Sequence, residues 1–402
     1  MGRYNIVKPE EEADIYIVNT CSVTNMSDRK SRQMLRRARE LNKDALVIAV
    51  GCYAETAREE IEKIPEVDIV LGNFQKVNID KYIDAYFEGK EIGDKMIENH
   101  FYDFGSVTYT EKTRAVVKVQ DGCNNFCSYC IIPYARGRIC SRKPESVINE
   151  IKSIAEKGIK EVVITGIQVS SYGKDFMNDY RLIDLLEDIN KIDGIKRIRL
   201  GSLEPLIITE EFCNRLKNIE KMCHHFHLSL QSGCNKTLKE MNRKYTTEQF
   251  EKVVEMLRNL YEDVILTTDI IVGFPNETEE DFELTYNFLS KIRFYKMHVF
   301  KYSPRKGTVA AKMKNQISSE IKEMRSRKLL ELSSENEKWY LKQYIGKNVD
   351  VLFEEKEGEF LKGHTSNYVM VKSKADEKLI NGIVSVSVKD FGDDYLEGAI
   401  NV

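Results

Sequence analysis

The 402-residue chain has no apolar run approaching the ~20 residues that a bilayer-spanning helix needs, and its first residues show no signal-peptide hydrophobic core. It therefore reads as soluble and cytoplasmic, with no membrane partner. Proline is scarce, at 7 residues, and a composition of 42% hydrophobic and 31% charged is that of an ordinary globular protein. Charge of neither sign is in excess: 61 Lys and Arg face 64 Asp and Glu, a net of −3. Any grip on nucleic acid must then come from local basic patches rather than the global field. No Ser/His/Asp set and no paired carboxylates stand out for acid–base work. Cysteine is what the chain does have. Nine of them, an odd number, in a reducing compartment point to metal binding and not to a disulfide scaffold.

Three of the nine dominate. Cys123, Cys127 and Cys130 form a CxxxCxxC loop directly after a strand-like run at 115–120. Thiolates so close converge on one soft metal centre, and this spacing suits three corners of an iron–sulfur cubane. Tetrahedral zinc would want a fourth ligand, and only Cys140 offers itself nearby. A cubane on three thiolates leaves one iron open for a substrate or cofactor. Structural zinc, or a chance cluster, is the bland alternative.

Length allows two or three domains. Residues 1–90 alternate strand and helix, with strands at 14–20, 44–50 and 67–72 and helices at 28–41, 55–63 and 77–87; Asp28 is placed to cap the first helix. That predicts an open, doubly wound parallel sheet, in which ligands sit beyond the carboxyl ends of the strands. Cys21 and Cys52 follow two such ends and are candidate ligands, although buried small hydrophobes are the commoner fate of cysteine. The helix between them carries Arg29, Lys30, Arg32, Arg36, Arg37 and Arg39. This run suits phosphate contact, or is simply a solvated face.

Residues 91–113 read as a linker. From 114 to 343 a second series has strands at 115–120, 161–165, 196–200, 224–230, 264–272 and 296–302, with helices between them. Six βα units are too few for a closed eight-stranded barrel, so an open partial barrel is expected, followed by a long helix at 318–344. His224, His225 and His227 lie on one strand, where neighbours point to opposite faces, and they are not read as a metal site. Residues 344–402 switch to alternating, β-branched patterns, predicting a small five-stranded antiparallel barrel of oligonucleotide-binding size, or a packing module.

Strand ends build the site of a βα barrel. Here they carry Gln168, Ser202, Glu204 and Gln231, which offer hydrogen bonds to an amine, a carboxylate or a ribose. Around an open iron, this set suits S-adenosylmethionine, whose one-electron cleavage yields a carbon radical able to attack unactivated C–H bonds.

CxxxCxxC with Tyr129 before its third cysteine resembles the radical S-adenosylmethionine superfamily. The longer run from Asp121 to Arg138, together with Arg199–Pro205, His227–Gly233 and Asp269–Pro275, is similar to the methylthiotransferases. Residues 19–24, 28–33 and 363–368 most resemble the threonylcarbamoyladenosine tRNA branch. The resemblance implies a flavodoxin-like N-terminal domain, a radical barrel and a C-terminal TRAM barrel. It further implies two 4Fe–4S clusters, one on Cys123, Cys127 and Cys130 and an auxiliary one on Cys21, Cys52 and a third cysteine. Tyr129 would belong to the S-adenosylmethionine site. The partners implied are a tRNA anticodon stem-loop and an electron donor such as flavodoxin or ferredoxin, with the enzyme a monomer. The third auxiliary cysteine lies in a Gly-Cys-x-x-Asn loop of the family. This sequence begins at Met1-Gly2-Arg3-Tyr4, at the approach to the family's second strand, so an incomplete auxiliary ligand set is expected. The rival substrates are isopentenyladenosine in tRNA and a ribosomal-protein aspartate; a non-catalytic iron–sulfur RNA-binding protein is the rival of another class.

Overall fold

The computed structural model describes residues 3–90 and 113–401. The expected linker at 91–113 lies, except for Thr113, outside the described residues. The chain falls into two compact units. One gathers the N-terminal residues with Gly122–Arg138 and Ser303–Lys312, and the other holds the rest.

In the first unit, β1 (Ile15–Thr20), β2 (Leu46–Gly51) and β3 (Ile69–Leu71) form a parallel sheet in that order. Every residue of β2 is buried, as its unbroken apolar run requires of a strand covered on both faces. The helices are α1 (Asn25–Leu41), α2 (Cys52–Thr56), α3 (Arg58–Ile61) and α4 (Ile79–Phe87), with α5 (Ile132–Arg136) from the cysteine loop. Leu35 and Ala38 of α1 pack with Val47, Ala49 and Tyr53 on one face of the sheet. Ile48, Val50, Leu71 and Ile83 fill the other. Two boundaries differ from expectation. Thr24, not Asp28, caps α1, accepting from the Ser27 amide at 3.1 Å; Asp28 lies buried in the first turn and pairs with Arg305 at 2.6 Å. The helix expected at 55–63 is two short ones, interrupted at Ala57 and starting at Cys52.

The second unit contains the parallel strands β4 (Arg114–Asp121), β6 (Glu161–Gly166), β7 (Arg197–Leu200), β8 (His225–Gln231), β9 (Ile265–Val272) and β10 (Lys296–Lys301). β5 (Cys140–Ser141) adds an antiparallel pair at the end of β4. The ladders run β5-β4-β6-β7 and β10-β9-β8, and bridges at Ile198↔Met222 and Leu203↔Leu228 join β7 to β8. No ladder joins β10 to β4 among the described residues, so the six-stranded wall is an open barrel. The helices α6 (Pro144–Glu156), α7 (Leu182–Asn190), α8 (Glu210–Leu216), α9 (Asn235–Glu240), α10 (Thr247–Leu260) and α11 (Glu279–Ile292) alternate with the strands. Their apolar faces share a core with Val117, Ile164, Leu228 and Leu266 of the strands. α10 and α11 open with capping boxes, Thr246 with Gln249 and Thr278 with Asp281.

The long α12 (Ser319–Lys342) contributes Leu329 and Leu332 to this core and Leu341 to the next. Beyond it β11 (Asn348–Glu357), β12 (Phe360–Thr365), β13 (Met370–Lys374), β14 (Ile383–Phe391) and β15 (Leu396–Ile400) close into a barrel in the order β11-β12-β13-β15-β14. The expected all-antiparallel arrangement holds for every pair but one: β13 and β15 run parallel, because the chain crosses over to close the barrel. This barrel sits on the amino-terminal ends of the larger one. Arg197 donates to the carbonyls of His364 (2.9 Å) and Asp350 (2.8 Å). Asn367 donates to the Asp263 carbonyl at 2.7 Å. Ile265 and Tyr295 share its apolar core.

Candidate active site

The thiol loop leaves the carboxyl end of β4 through Gly122, whose φ of +69° and backbone neighbours demand glycine. A Cβ there would lie 1.8 Å from the Arg138 carbonyl oxygen. The Cys123 amide donates to the Gly137 carbonyl (3.1 Å) and the Cys130 amide to the Cys127 carbonyl (3.0 Å), which turns the loop back on itself. Phe126 takes a left-handed φ of +48°. Its ring is held edge-on by Tyr134 at 5.9 Å and lies under the Arg138 guanidinium at 4.6 Å. The Ala310 amide donates to the Ser128 carbonyl at 2.8 Å. Cys123, Tyr129, Cys127 and Cys130 are all half-buried. A constrained loop presenting three reachable sulfurs fits a cubane with one open iron.

Cys21 and Cys52 come directly after Thr20 and Gly51, which pair across β1 and β2. Cys21 is exposed and Cys52 buried. Two donors that the sequence reading missed reach the Cys52 sulfur: Arg136 Nε at 3.1 Å and Asn73 Nδ2 at 3.6 Å. Asn73 also donates to the Ala135 carbonyl at 2.7 Å. A signal for Asn73 existed, since it lies one residue past the position after β3 that the cysteines hold after β1 and β2. Arg305 bonds Ser22 and Asn25 besides Asp28, from far along the chain, and nothing local announces it.

The basic helix divides. Arg32 donates to the Tyr53 hydroxyl at 2.7 Å, and Arg39 caps the carbonyls of Lys43 and Ala45 and pairs with Asp68. Arg29, Lys30, Arg36 and Arg37 are exposed. They form no ion pair with any described residue.

In the second unit the strand-end residues are only partly brought together. Gln168, after β6, donates its backbone amide to Gln120 Oε1 (2.7 Å), and its side chain bonds Glu204. Glu204 pairs with Arg243, and its backbone amide donates to Ser170 Oγ at 2.9 Å. Burial pushes the Glu204 carboxyl up, against the pull of Arg243. Arg243 in turn donates to the Tyr245 hydroxyl (2.9 Å) and the Ser229 carbonyl (3.1 Å). Arg243 and Tyr245 were not anticipated; they come from the segment after α9, distant from Glu204 in sequence. Gln231 is buried with φ of +71° at the end of β8, whereas Ser202 is exposed.

Residues 1–72 match the model of the Uncharacterized protein family UPF0004, and residues 117–289 match that of the Radical SAM superfamily. The threonylcarbamoyladenosine tRNA methylthiotransferase MtaB of Bacillus subtilis (strain 168) is 41% identical over 399 residues, covering 97% of this chain and 88% of that protein. MtaB of Aquifex aeolicus (strain VF5) is 42% identical over 373 residues, 92% of this chain and 90% of the relative. A tRNA-2-methylthio-N(6)-dimethylallyladenosine synthase of Thermoanaerobacter sp. (strain X514) is 36% identical over 402 residues, 96% and 84% respectively. Among solved structures, the radical S-adenosylmethionine methyltransferase TsrM of Kitasatospora setae superposes with a TM-score of 0.58 at 16% identity, over 75% of this chain and 66% of that one. That likeness concerns the fold. The end-to-end identity goes further: the chain belongs to the radical S-adenosylmethionine tRNA methylthiotransferases, a family that works with S-adenosylmethionine and two 4Fe–4S clusters.

Proposed function

We propose that the chain converts threonylcarbamoyladenosine next to the tRNA anticodon to its 2-methylthio derivative. The observation that carries this reading is a constrained, half-buried three-thiol loop in a chain 41% identical, nearly end to end, to an enzyme of that activity. A 4Fe–4S cluster on Cys123, Cys127 and Cys130, with S-adenosylmethionine, would supply the carbon radical that hydrogen abstraction from carbon 2 of the adenine needs. The chain's own groups then have distinct tasks. Tyr129, Gln168, Ser202, Glu204 and Gln231 bind and orient the cofactor, and Arg243 and Tyr245 hold Glu204 still. Cys21 and Cys52 serve the auxiliary cluster, with Arg136 and Asn73 donating to the Cys52 sulfur. Arg29, Lys30, Arg36 and Arg37 take the phosphates of the anticodon stem, while Arg32 divides its guanidinium between that face and Tyr53. An anticodon-loop base is unstacked at little cost, which suits an open barrel.

No helix among the described residues is long and apolar enough to cross a membrane. Working in the cytoplasm, the enzyme would act as a monomer fed electrons by a flavodoxin or ferredoxin. Mass spectrometry of bulk tRNA nucleosides from a deletion strain tests the substrate: 2-methylthio-threonylcarbamoyladenosine should vanish and return on complementation. Loss of the 2-methylthio-isopentenyl nucleoside instead, or of a ribosomal-protein modification, would overturn it. So would a cluster-loaded protein that makes no 5′-deoxyadenosine from S-adenosylmethionine and dithionite.

A further inference from the structure

Strands β8, β9 and β10 carry a second group of donors to which the proposed reaction gives no task. His298 pairs in register with Asp269, and His227 with Thr267, two residues before Asp269. In-register side chains of parallel strands share a face. Here it is the face opposite Leu228, Leu266, Ile270 and Met297, which lie in the core with the helices. The ligating atoms of His227, Asp269 and His298 all fall within 4.8 Å of one another. His227 Nε2 is 3.0 Å from Asp269 Oδ2, and His298 Nδ1 is 3.4 Å from Asp269 Oδ1.

These separations have a specific meaning. With metal–ligand bonds of about 2.1 Å, two donors on one first-row ion stand roughly 3.0–3.4 Å apart. Moreover, His227 Nε2 is buried and has no hydrogen-bond partner among the described residues, despite the carboxylate oxygen beside it. Thr267 Oγ1, 2.9 Å from His227 Nδ1, occupies the other ring nitrogen and leaves Nε2 for the ion. The His298 side chain is 53% exposed, so it is free to swing the last fraction of an ångström and one side of the site stays open.

We propose that His227, Asp269 and His298 bind one divalent first-row transition ion through two imidazoles and a carboxylate, leaving positions for water or a substrate oxygen. No thiolate belongs to the set, so it prefers a harder ion than the cysteine loop does. The test is a titration of the cluster-loaded, chelator-washed full chain with MnCl2, chosen because thiolates compete poorly for Mn²⁺. Free Mn²⁺ is followed by its EPR signal. One saturable equivalent per chain is expected, weakened at least tenfold in His298→Gln and in Asp269→Asn, with iron content and the metal-free melting temperature unchanged. His298→Gln, at an exposed position, keeps the test valid should Asp269→Asn fail to fold. No saturable binding, or binding unaltered in His298→Gln, overturns the proposal and leaves a carboxylate hydrogen-bonded between two histidines.

Discussion

The nine cysteines differ in what surrounds each sulfur, and that difference has a chemical readout. Cys223 is buried, and burial pushes its thiol up to about 11, against the neighbouring Arg199. Cys213 is likewise raised by burial. At pH 8 a thiol of that kind is only about 0.1% thiolate, the reactive form. In the folded, cluster-free protein, iodoacetamide at pH 8 should therefore label exposed Cys21 quickly and leave Cys213 and Cys223 unmodified, as peptide mapping would record. Labelling of Cys223 at the rate of Cys21 would mean that the start of β8 opens readily. Residue identity alone could separate the CxxxCxxC trio from the rest, because its spacing is local. It could not find Arg136 at the Cys52 sulfur or Arg243 at Glu204, since each contact closes a long loop that only the fold brings together.

Among the elements, strands were the most legible and helix starts the least. Each parallel strand of the barrel lies within a residue or two of the apolar run that predicted it, because strands packed under helices are buried along most of their length and end at polar turns. Thr24 and Asp28 are both good caps, however, and the choice between them depends on Arg305, 277 residues past Asp28. The parallel pairing of β13 with β15 follows from barrel closure and leaves no local mark. For α1 the division of its cations yields a prediction. Replacing Arg36 and Arg37 with Gln removes two charges that no described residue pairs and should flatten the salt dependence of tRNA binding by about two in log–log slope. Replacing Arg39, which is spent on carbonyls and Asp68, should lower stability instead. Filter binding at several salt concentrations tells these apart, and an unchanged slope in the double variant would return α1 to a solvated face.

At the scale of the whole molecule, the joint between the two barrels is electrostatic at its centre. Glu161 is fully buried and lies against Arg199 (2.9 Å), Arg114 (3.1 Å) and Arg197 (3.8 Å). Arg114 also pairs with Glu354 of β11. Burial pulls the Glu161 carboxyl up, but Arg199, Arg114 and Arg197 together hold it below the usual glutamate range. A carboxylate lowered on folding contributes stability that is complete above its unfolded value, about 4.3, and is lost as pH falls through the folded one. Urea unfolding should thus show stability level near neutrality and falling below about pH 4.3. Glu161→Gln should cost ~3–5 kcal/mol at pH 7 by removing the one buried carboxylate charge that three guanidiniums share, and its acid limb should be flatter than that of the parent. A cost below about 1 kcal/mol would show that water reaches the joint.

The same seating fixes a length. The small barrel is bonded to the amino-terminal rim, through Arg197, Asn367 and Arg114, whereas Gln168, Glu204 and Gln231 stand at the other rim. Strands of four to eight residues separate the rims, roughly 13–26 Å at about 3.3 Å per residue. An RNA touched at both places must be long enough to bridge that gap, so a folded hairpin can engage both ends where an isolated nucleoside engages one.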